Sequence, residues 1–354
     1  MRYQKYISIF LFLFVALTAT VHGETPEAAH VKSELANVEK QFDPSPIVLH
    51  HIADSHEFDV LQLWSVPLPC ILYNTATKGV TTFLYHEGKE VNGYKCEEGE
   101  IKREDGGFFI DMSITKNVFT MLLAAALLIF IFTSVAKAYT TNTGKAPSGL
   151  QSLIEPMFIF VRDDVAKQCI GPKYEKFLPY IMTIFFFILA NNLLGLVPLF
   201  PGGANVSGNI SFTIVLAVIA FIVVNFNGTK DYWMHIVWMP GVPVPMKIFL
   251  APIELIGVII KPVALMIRLF ANMTAGHIIV LSLISLIFIF GKVGASLPGS
   301  GLGAAIAVPF TLFIGCIEVL VAFIQAFIFA MLTSVFIGLA LEDHSSHDEA
   351  HAAH

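Results

Sequence analysis

Residues 248–290 read IFLAPIELIGVIIKPVALMIRLFANMTAGHIIVLSLISLIFIF. The only formal charges in this run are Glu254, Lys261 and Arg268. As a helix rising about 1.5 Å per residue, it would extend about 64 Å. Residues 304–341 form a second such run with Glu318 as the only charge, and would extend about 57 Å. A Gly/Ser/Pro-rich stretch, 291–303, separates the two. The hydrocarbon layer of a bilayer is about 30 Å thick. Neither run can stand upright in it. Each must break, for instance at Pro262 or Pro309, or lie tilted. About 60° would fit the second, far beyond the ordinary tilt of about 20°. Pro252 falls near a helix start, where proline is tolerated. Residues 248–341 therefore predict a slanted hairpin of two long helices.

Working outward, residues 177–229 carry no formal charge. Pro201-Gly202-Gly203-Ala204-Asn205-Val206-Ser207-Gly208-Asn209 interrupts them as a turn. This predicts a transmembrane hairpin with its tip outside. Residues 230–247 return to the cytoplasmic side, made irregular by Pro240, Pro243 and Pro245. Residues 118–136 are uncharged and long enough to span, which predicts a first transmembrane helix over 117–139. The following loop, 140–176, belongs to a stretch from Lys137 to Lys176 with six Lys/Arg against four acids. That excess places it in the cytoplasm. The fold class is an all-α polytopic membrane protein of about five helices, two of them long and strongly tilted.

Composition agrees. Charged residues make up 14% of the 354 and hydrophobic residues 55%, against about 25% charged in soluble domains. A soluble enzyme is excluded as the whole account, as are disorder and collagen. The net charge of −6 gives no reason to expect nucleic acid as a partner.

The N-terminus differs. Arg2 and Lys5 precede an apolar run over 7–19 and a polar change at His22 and Gly23, the pattern of a signal peptide over 1–23. An uncleaved anchor is the alternative. Residues 24–116 hold 8 Lys/Arg and 16 Asp/Glu and should form a periplasmic segment with a small, partly β element. Cys70 and Cys96 both lie there. An oxidising compartment allows a disulfide between them; two separate thiols are equally open. His50, His51, Asp54 and His56 cluster, but their spacing matches no standard zinc pattern, so a polar structural or docking role is favoured. The tail, 342–354, holds four histidines and four acids and reads as a solvated cytoplasmic end. No metal or cofactor is expected.

Charges inside a bilayer cost at least about 2.5–3.5 kcal/mol and usually face a partner or water. Glu254, Lys261, Arg268 and Asn272 are spaced 7, 7 and 4 apart, which keeps them on one stripe at 100° per residue. His277, nine residues after Arg268, points to the opposite side. Glu318 and Gln325 share a face of the final helix. His277 and Glu318 can exchange protons; Arg268, with a pKa above about 12, can only be a permanent cation. This constellation reads as a proton or ion path, against a static polar seam that pairs helices.

At these residues the sequence resembles the F-type ATP synthase subunit a family. Lys261-Pro262 followed by Ile267-Arg268-Leu269-Phe270-Ala271-Asn272-Met273-Thr274-Ala275-Gly276-His277 is similar to the signature around that family's essential arginine. Ile324-Gln325-Ala326-Phe327-Ile328-Phe329 is similar to its last helix, and Asn192-Leu193-Leu194-Gly195-Leu196-Val197-Pro198 to its first hairpin helix. Residues 24–110 lie outside the resemblance, and Met266 departs from it, since the family often has a small residue there. The resemblance implies a non-catalytic subunit that provides two aqueous half-channels against a rotating c-ring in a bacterial inner membrane. Subunit b of the stator stalk and the F1 head are the further partners, and H⁺ the translocated ion, with Na⁺ the alternative. Arg268 would be the coupling charge. Asn272, His277, Glu318 and Gln325 would line the periplasmic half-channel, Glu254 the cytoplasmic one, and Asn192 the entry. Some relatives carry an acid where this chain has His277 and a His where it has Glu318; here the pair is exchanged. The alternative is an independent ion-coupled secondary transporter, but the sequence shows no convincing internal repeat. An anchor for an active exported segment ranks last, because that segment lacks a recognisable catalytic arrangement.

Overall fold

A computed structural model describes residues 44–342, apart from 61–63, 75–78, 87, 89, 98–99, 104–106, 142–143, 145, 198–201, 239–242 and 291–296. The expected signal peptide and most of the His-rich tail lie outside the described residues. The chain divides into two compact units, Val48–Val280 with Leu312–His354, and Met1–Ile47 with Leu281–Thr311.

The larger unit begins with a short helix, α1 (Ser45–Ile52, whose first residues belong to the other unit), and eight short strands. Strands β1 (Glu57–Val60) and β2 (Trp64–Pro67) pair as an antiparallel hairpin. Strand β3 (Pro69–Asn74) lies between β4 (Gly79–Leu84) and β8 (Phe109–Asp111). Strand β6 (Tyr94–Glu97) lies between β5 (Glu90–Val91) and β7 (Glu100–Arg103). The partly β element expected of this segment is present. β4 alternates half-buried and exposed residues, as a strand with one face on a core must. Asn92 (φ 54°) and Gly93 (φ 79°) form the two-residue turn of the β5–β6 hairpin. Gly, Asn and Asp are the residues that adopt such a turn readily. Cys70, Leu72, Tyr85, Tyr94, Cys96 and Ile101 form the core.

In that core Cys70 and Cys96 are free thiols. Of the two states left open by the sequence, this structure has the separate thiols, on strands of different sheets and completely buried. Burial pushes the Cys70 thiol up to about 12, with the neighbouring Cys96 raising it further, and burial likewise raises Cys96. Of the histidine cluster, His56 and Asp54 take separate partners. His56 Nε2 lies 3.0 Å from Asp111 Oδ2, and its ring stacks on Tyr85 at 5.7 Å. Asp54 instead accepts the backbone N–H of Ser55 and of Asn117. The side chains of His50 and His51 lie outside the described residues.

Helix α2 (Lys116–Thr141) follows. A helix leaves its first N–H groups unpaired. Here Thr115 Oγ1 accepts from Val118, Ser55 O from Lys116 and Asp54 Oδ1 from Asn117. Helix α3 (Leu150–Phe160) continues through a π-helical stretch (Val161–Lys167), one further turn (Gln168–Ile170) and a 3-10 turn (Gly171–Lys173) into α4 (Tyr174–Leu196). The expected loop over 140–176 is therefore helical from 150 onward. Ile154, Val161, Val165, Ala166 and Ile170 are buried; their helical spacing was masked by the charged residues between them. Helices α5 (Ile210–Phe226) and α6 (Lys230–Val237) meet at 104°.

The two long runs are helices α7 (Val244–Phe290, 47 residues) and α8 (Leu297–Leu341, 45 residues). They run through Pro252, Pro262 and Pro309 rather than breaking. A proline removes one donor, but unwinding in hydrocarbon would orphan many more. Ala322, Ala326, Ala330 and Ser334 recur every fourth residue of α8 and are completely buried. Gly338 continues the stripe: a Cβ there would strike the carbonyl oxygen of Cys169. Small side chains let helices approach closely, and the core of Phe185, Ile188, Leu269, Phe329 and Ile337 closes around them. In the smaller unit, Gly303 of α8 lies close to Ile287 of α7, where a Cβ would come within 3.0 Å of its Cα.

The Asp111 carboxyl sits below its ordinary 3.8. Burial alone would raise it, but hydrogen bonds from His56 and Ser113 outweigh burial. A depressed carboxyl stabilises the fold above its unfolded value, and that contribution is lost as pH falls from 3.8 through the lower folded one. Asp111→Asn should therefore weaken amide protection across 57–111 by about 1 kcal/mol at neutral pH. The gap to the wild type should close in acid. Hydrogen exchange at matched pH checks this.

Candidate functional site

The polar residues of the long helices end up in distinct places. Arg268 is exposed on α7. Among the described residues nothing forms a hydrogen bond or ion pair with it. Leu265 and Leu269, beside it in sequence, are buried against the bundle, so α7 turns its apolar side inward and its cation outward. One turn on, Asn272 Nδ2 donates to Gln325 Oε1 of α8 at 2.9 Å. Gln325 is 2% exposed; this bond gives its carbonyl the partner that burial requires.

His277 faces another neighbour, as its half-turn offset from Arg268 requires. Its Nε2 lies 3.7 Å from the Cβ position of Gly195 on α4. Glu318 of α8 reaches into the gap left by Gly276 of α7: a Cβ at Gly276 would collide with its Oε1, and would lie 3.2 Å from its Cδ. That buried Oε1 has no hydrogen-bond partner among the described residues. The imidazole thus projects from α7 toward α4, while the carboxylate reaches the neighbouring residue of α7 from α8.

Asn192, 1% exposed on α4, bridges two elements. Its Nδ2 donates to Ala322 O of α8 at 3.2 Å, and its Oδ1 accepts from Ser207 Oγ at 2.5 Å. Ser207 lies in the 3-10 turn Val206–Gly208, which Asn205 Oδ1 caps by accepting from Gly208 N. Gly202 permits the preceding approach to α4, where a Cβ would sit 2.6 Å from Val197 O. The turn also touches α7, through Thr274 Oγ1 donating to Gly208 O at 3.4 Å. Sequence reasoning treated 201–209 as a loop tip and missed Ser207. A polar residue inside a turn gives no signal of its burial.

Glu254 and Lys261 leave the group. Glu254 lies near Tyr232 of α6, and Lys261 Nζ sits 5.5 Å from the Phe336 ring. The stripe read from the sequence thus meets different neighbours along its length. Among the described residues, no group of His, Cys, Asp and Glu could hold a metal ion.

Four described helical stretches are long and apolar enough to cross a membrane, or five if the bent α5–α6 pair counts as one span. With the buried polar contacts between them, they define a multi-pass membrane protein. Residues 118–338, well over half the chain, match the family described as ATP synthase A chain, and the chain belongs to that family. It is 39% identical to the ATP synthase subunit a of Chlorobium phaeobacteroides over 96% of this chain and 87% of the relative. It is 37% identical to that of Chloroherpeton thalassium over 99% and 94%. It is 46% identical to an ATP synthase subunit a 2 of Prosthecochloris aestuarii over 70% and 74%. Residues 47–118 match a separate domain of unknown function (DUF8433).

Gly276→Ala should destabilise the protein by about 1–3 kcal/mol, because the added methyl displaces the Glu318 carboxyl. Gly276→Ala with Glu318→Ala should cost less than the sum of the single changes. Thermal unfolding in detergent reads both, and additive losses would show that the two residues do not meet.

Proposed function

We propose that this chain is subunit a of the Fo sector of an F-type ATP synthase and couples proton flow to rotation of a ring of c subunits. One observation carries the reading most directly: Arg268 stands exposed in an apolar helix with no partner among the described residues of its own chain. An intramembrane arginine needs an anion. An outward-facing one requires that anion on another subunit, and a ring carboxylate supplies it.

The chemistry follows from electrostatics. A carboxylate in hydrocarbon is held neutral, because burial disfavours its charge. Opposite a fixed guanidinium the ionised form is favoured again, so each ring carboxyl releases its proton there. Arg268 cannot itself lose a proton at working pH, whereas a lysine could. It therefore separates two half-channels without offering a proton route between them. On the exported side, Glu318 and His277 are the groups able to relay protons, with Asn272, Gln325 and Asn192 as the polar wall. On the cytoplasmic side, Glu254 is the accessible carboxylate. A helix of 47 residues exceeds the bilayer thickness when upright, so α7 and α8 lie slanted and present a long edge to the ring. Residues 44–116 then lie outside the inner membrane, and the C-terminus in the cytoplasm. Subunit b and the F1 head are the remaining partners.

Arg268→Ala in the assembled complex, in sealed vesicles, should abolish ATP-driven proton pumping while leaving the complex intact. Added passive leak would show that the arginine also seals the two half-channels. Continued pumping would reduce Arg268 and its neighbours to a structural seam.

A further inference from the structure

The domain at residues 47–118 has no assigned function, yet it meets the membrane helices beside the site. Phe58 of β1 is buried in one cluster with Ala204 and Val206 of the turn that carries Ser207. Phe119 and Met121 of α2 pack against the same cluster. Two backbone N–H groups of the first turn of α2, those of Lys116 and Asn117, end on Ser55 O (3.0 Å) and Asp54 Oδ1 (3.3 Å). The N-terminal domain therefore fixes both the start of α2 and the turn against which it packs.

That junction is apolar on two sides and polar in the middle. Thr120 stands between Phe119 and Met121 on the helix, so its side chain points where theirs converge, toward the turn. It is completely buried, and its hydroxyl has no hydrogen-bond partner among the described residues. Asn117, one turn earlier on the same side, is 6% exposed, with both amide atoms equally unpartnered. Its backbone N–H is already taken by Asp54, so the side chain is not needed as a cap. Across the junction, Asn205 Nδ2 is a further buried donor without a partner. Each such group costs about 1–3 kcal/mol when left unsatisfied. Clustered polar groups of this kind are what bound water requires. Leu and Val would fit both positions on α2 at no such cost.

We propose that Asn117 and Thr120, held in place by the N-terminal domain, line the water-filled exported entrance of the proton path, delivering protons past Ser207 and Asn192 toward Glu318. The domain is then a fixed collar at the mouth of the path. This rests on the reading of Glu318 as part of that path.

The test is passive proton conductance of membrane vesicles that hold the full complex and are stripped of F1, with assembly followed by copurification of the c-ring. Thr120→Val keeps the shape and removes the hydroxyl; it should lower conductance about tenfold without loss of assembly. Thr120→Ser keeps the hydroxyl and should stay near wild type. A packing role predicts the reverse order, since serine loses the methyl group, and that order would overturn the proposal. Asn117→Leu against Asn117→Ser repeats the comparison if a Thr120 variant fails to assemble. Glu318→Gln is the control. Slow conductance in Glu318→Gln with wild-type conductance in Thr120→Val and Asn117→Leu overturns the entrance and leaves the path standing. Wild-type conductance in all three overturns both.

Discussion

A peptide group in hydrocarbon has no water to turn to. That constraint governs this molecule more than any single contact. It keeps α7 and α8 helical for 47 and 45 residues, through three prolines that would end a helix in water. Once the backbone is satisfied internally, a buried polar side chain gains most from a partner on a neighbouring element. Asn272 finds Gln325, and Asn192 finds Ala322 and Ser207. Close approach makes these bonds reachable, and the small residues on α8, from Ala322 to Gly338, make close approach possible. Arg268 differs in kind: it faces outward with no partner among the described residues of its own chain, and it carries the functional argument.

The long helices and their few polar residues were legible in the sequence because charge is so scarce there. Arg268, Glu318 and Gln325 stand out against apolar neighbours, and helical spacing alone puts His277 on the other side of α7 from Arg268. Other features were hidden by the same emphasis. Charges in 155–176 mark topology, and they break up the apolar stripe from Ile154 to Ile170, so it does not stand out as a helix. The four-residue rhythm of Ala322, Ala326, Ala330 and Ser334 is plain once sought, but small residues make no peak in an apolar run. The Asn92-Gly93 pair is a strong local hairpin signal. The contacts of Ser207 and Asp111 could not be read at all, because each depends on a partner distant in sequence.

The N-terminal domain shows how a small β element gains order from its surroundings. Short strands in sheets of two and three have limited cores of their own. Here the β1–β2 hairpin borrows Ala204 and Val206 from the helical part, and the chain between β8 and α2 is pinned by Ser113, Thr115 and Asp54. His56 and Asp111 close the remaining polar gap. The domain and the helices are thus parts of one structure.

A fixed charge facing a moving neighbour feels a sideways drag, and α8, bonded to the arginine's own helix through Gln325 and Asn272, must be anchored against it. Gly338 supplies such an anchorage. With no side chain, it lets α8 seat directly on the backbone at Cys169 and Ile170, and the adjacent carbonyl of Ala340 receives the N–H of Thr229 at 2.9 Å. The end of α8 is held backbone to backbone, with no flexible side chain in the linkage to yield. On the proposed reading, this stiff seat is the bearing mount of the motor: load taken up along α8 passes to the elbow between α3 and α4 instead of being dissipated in rotamer changes.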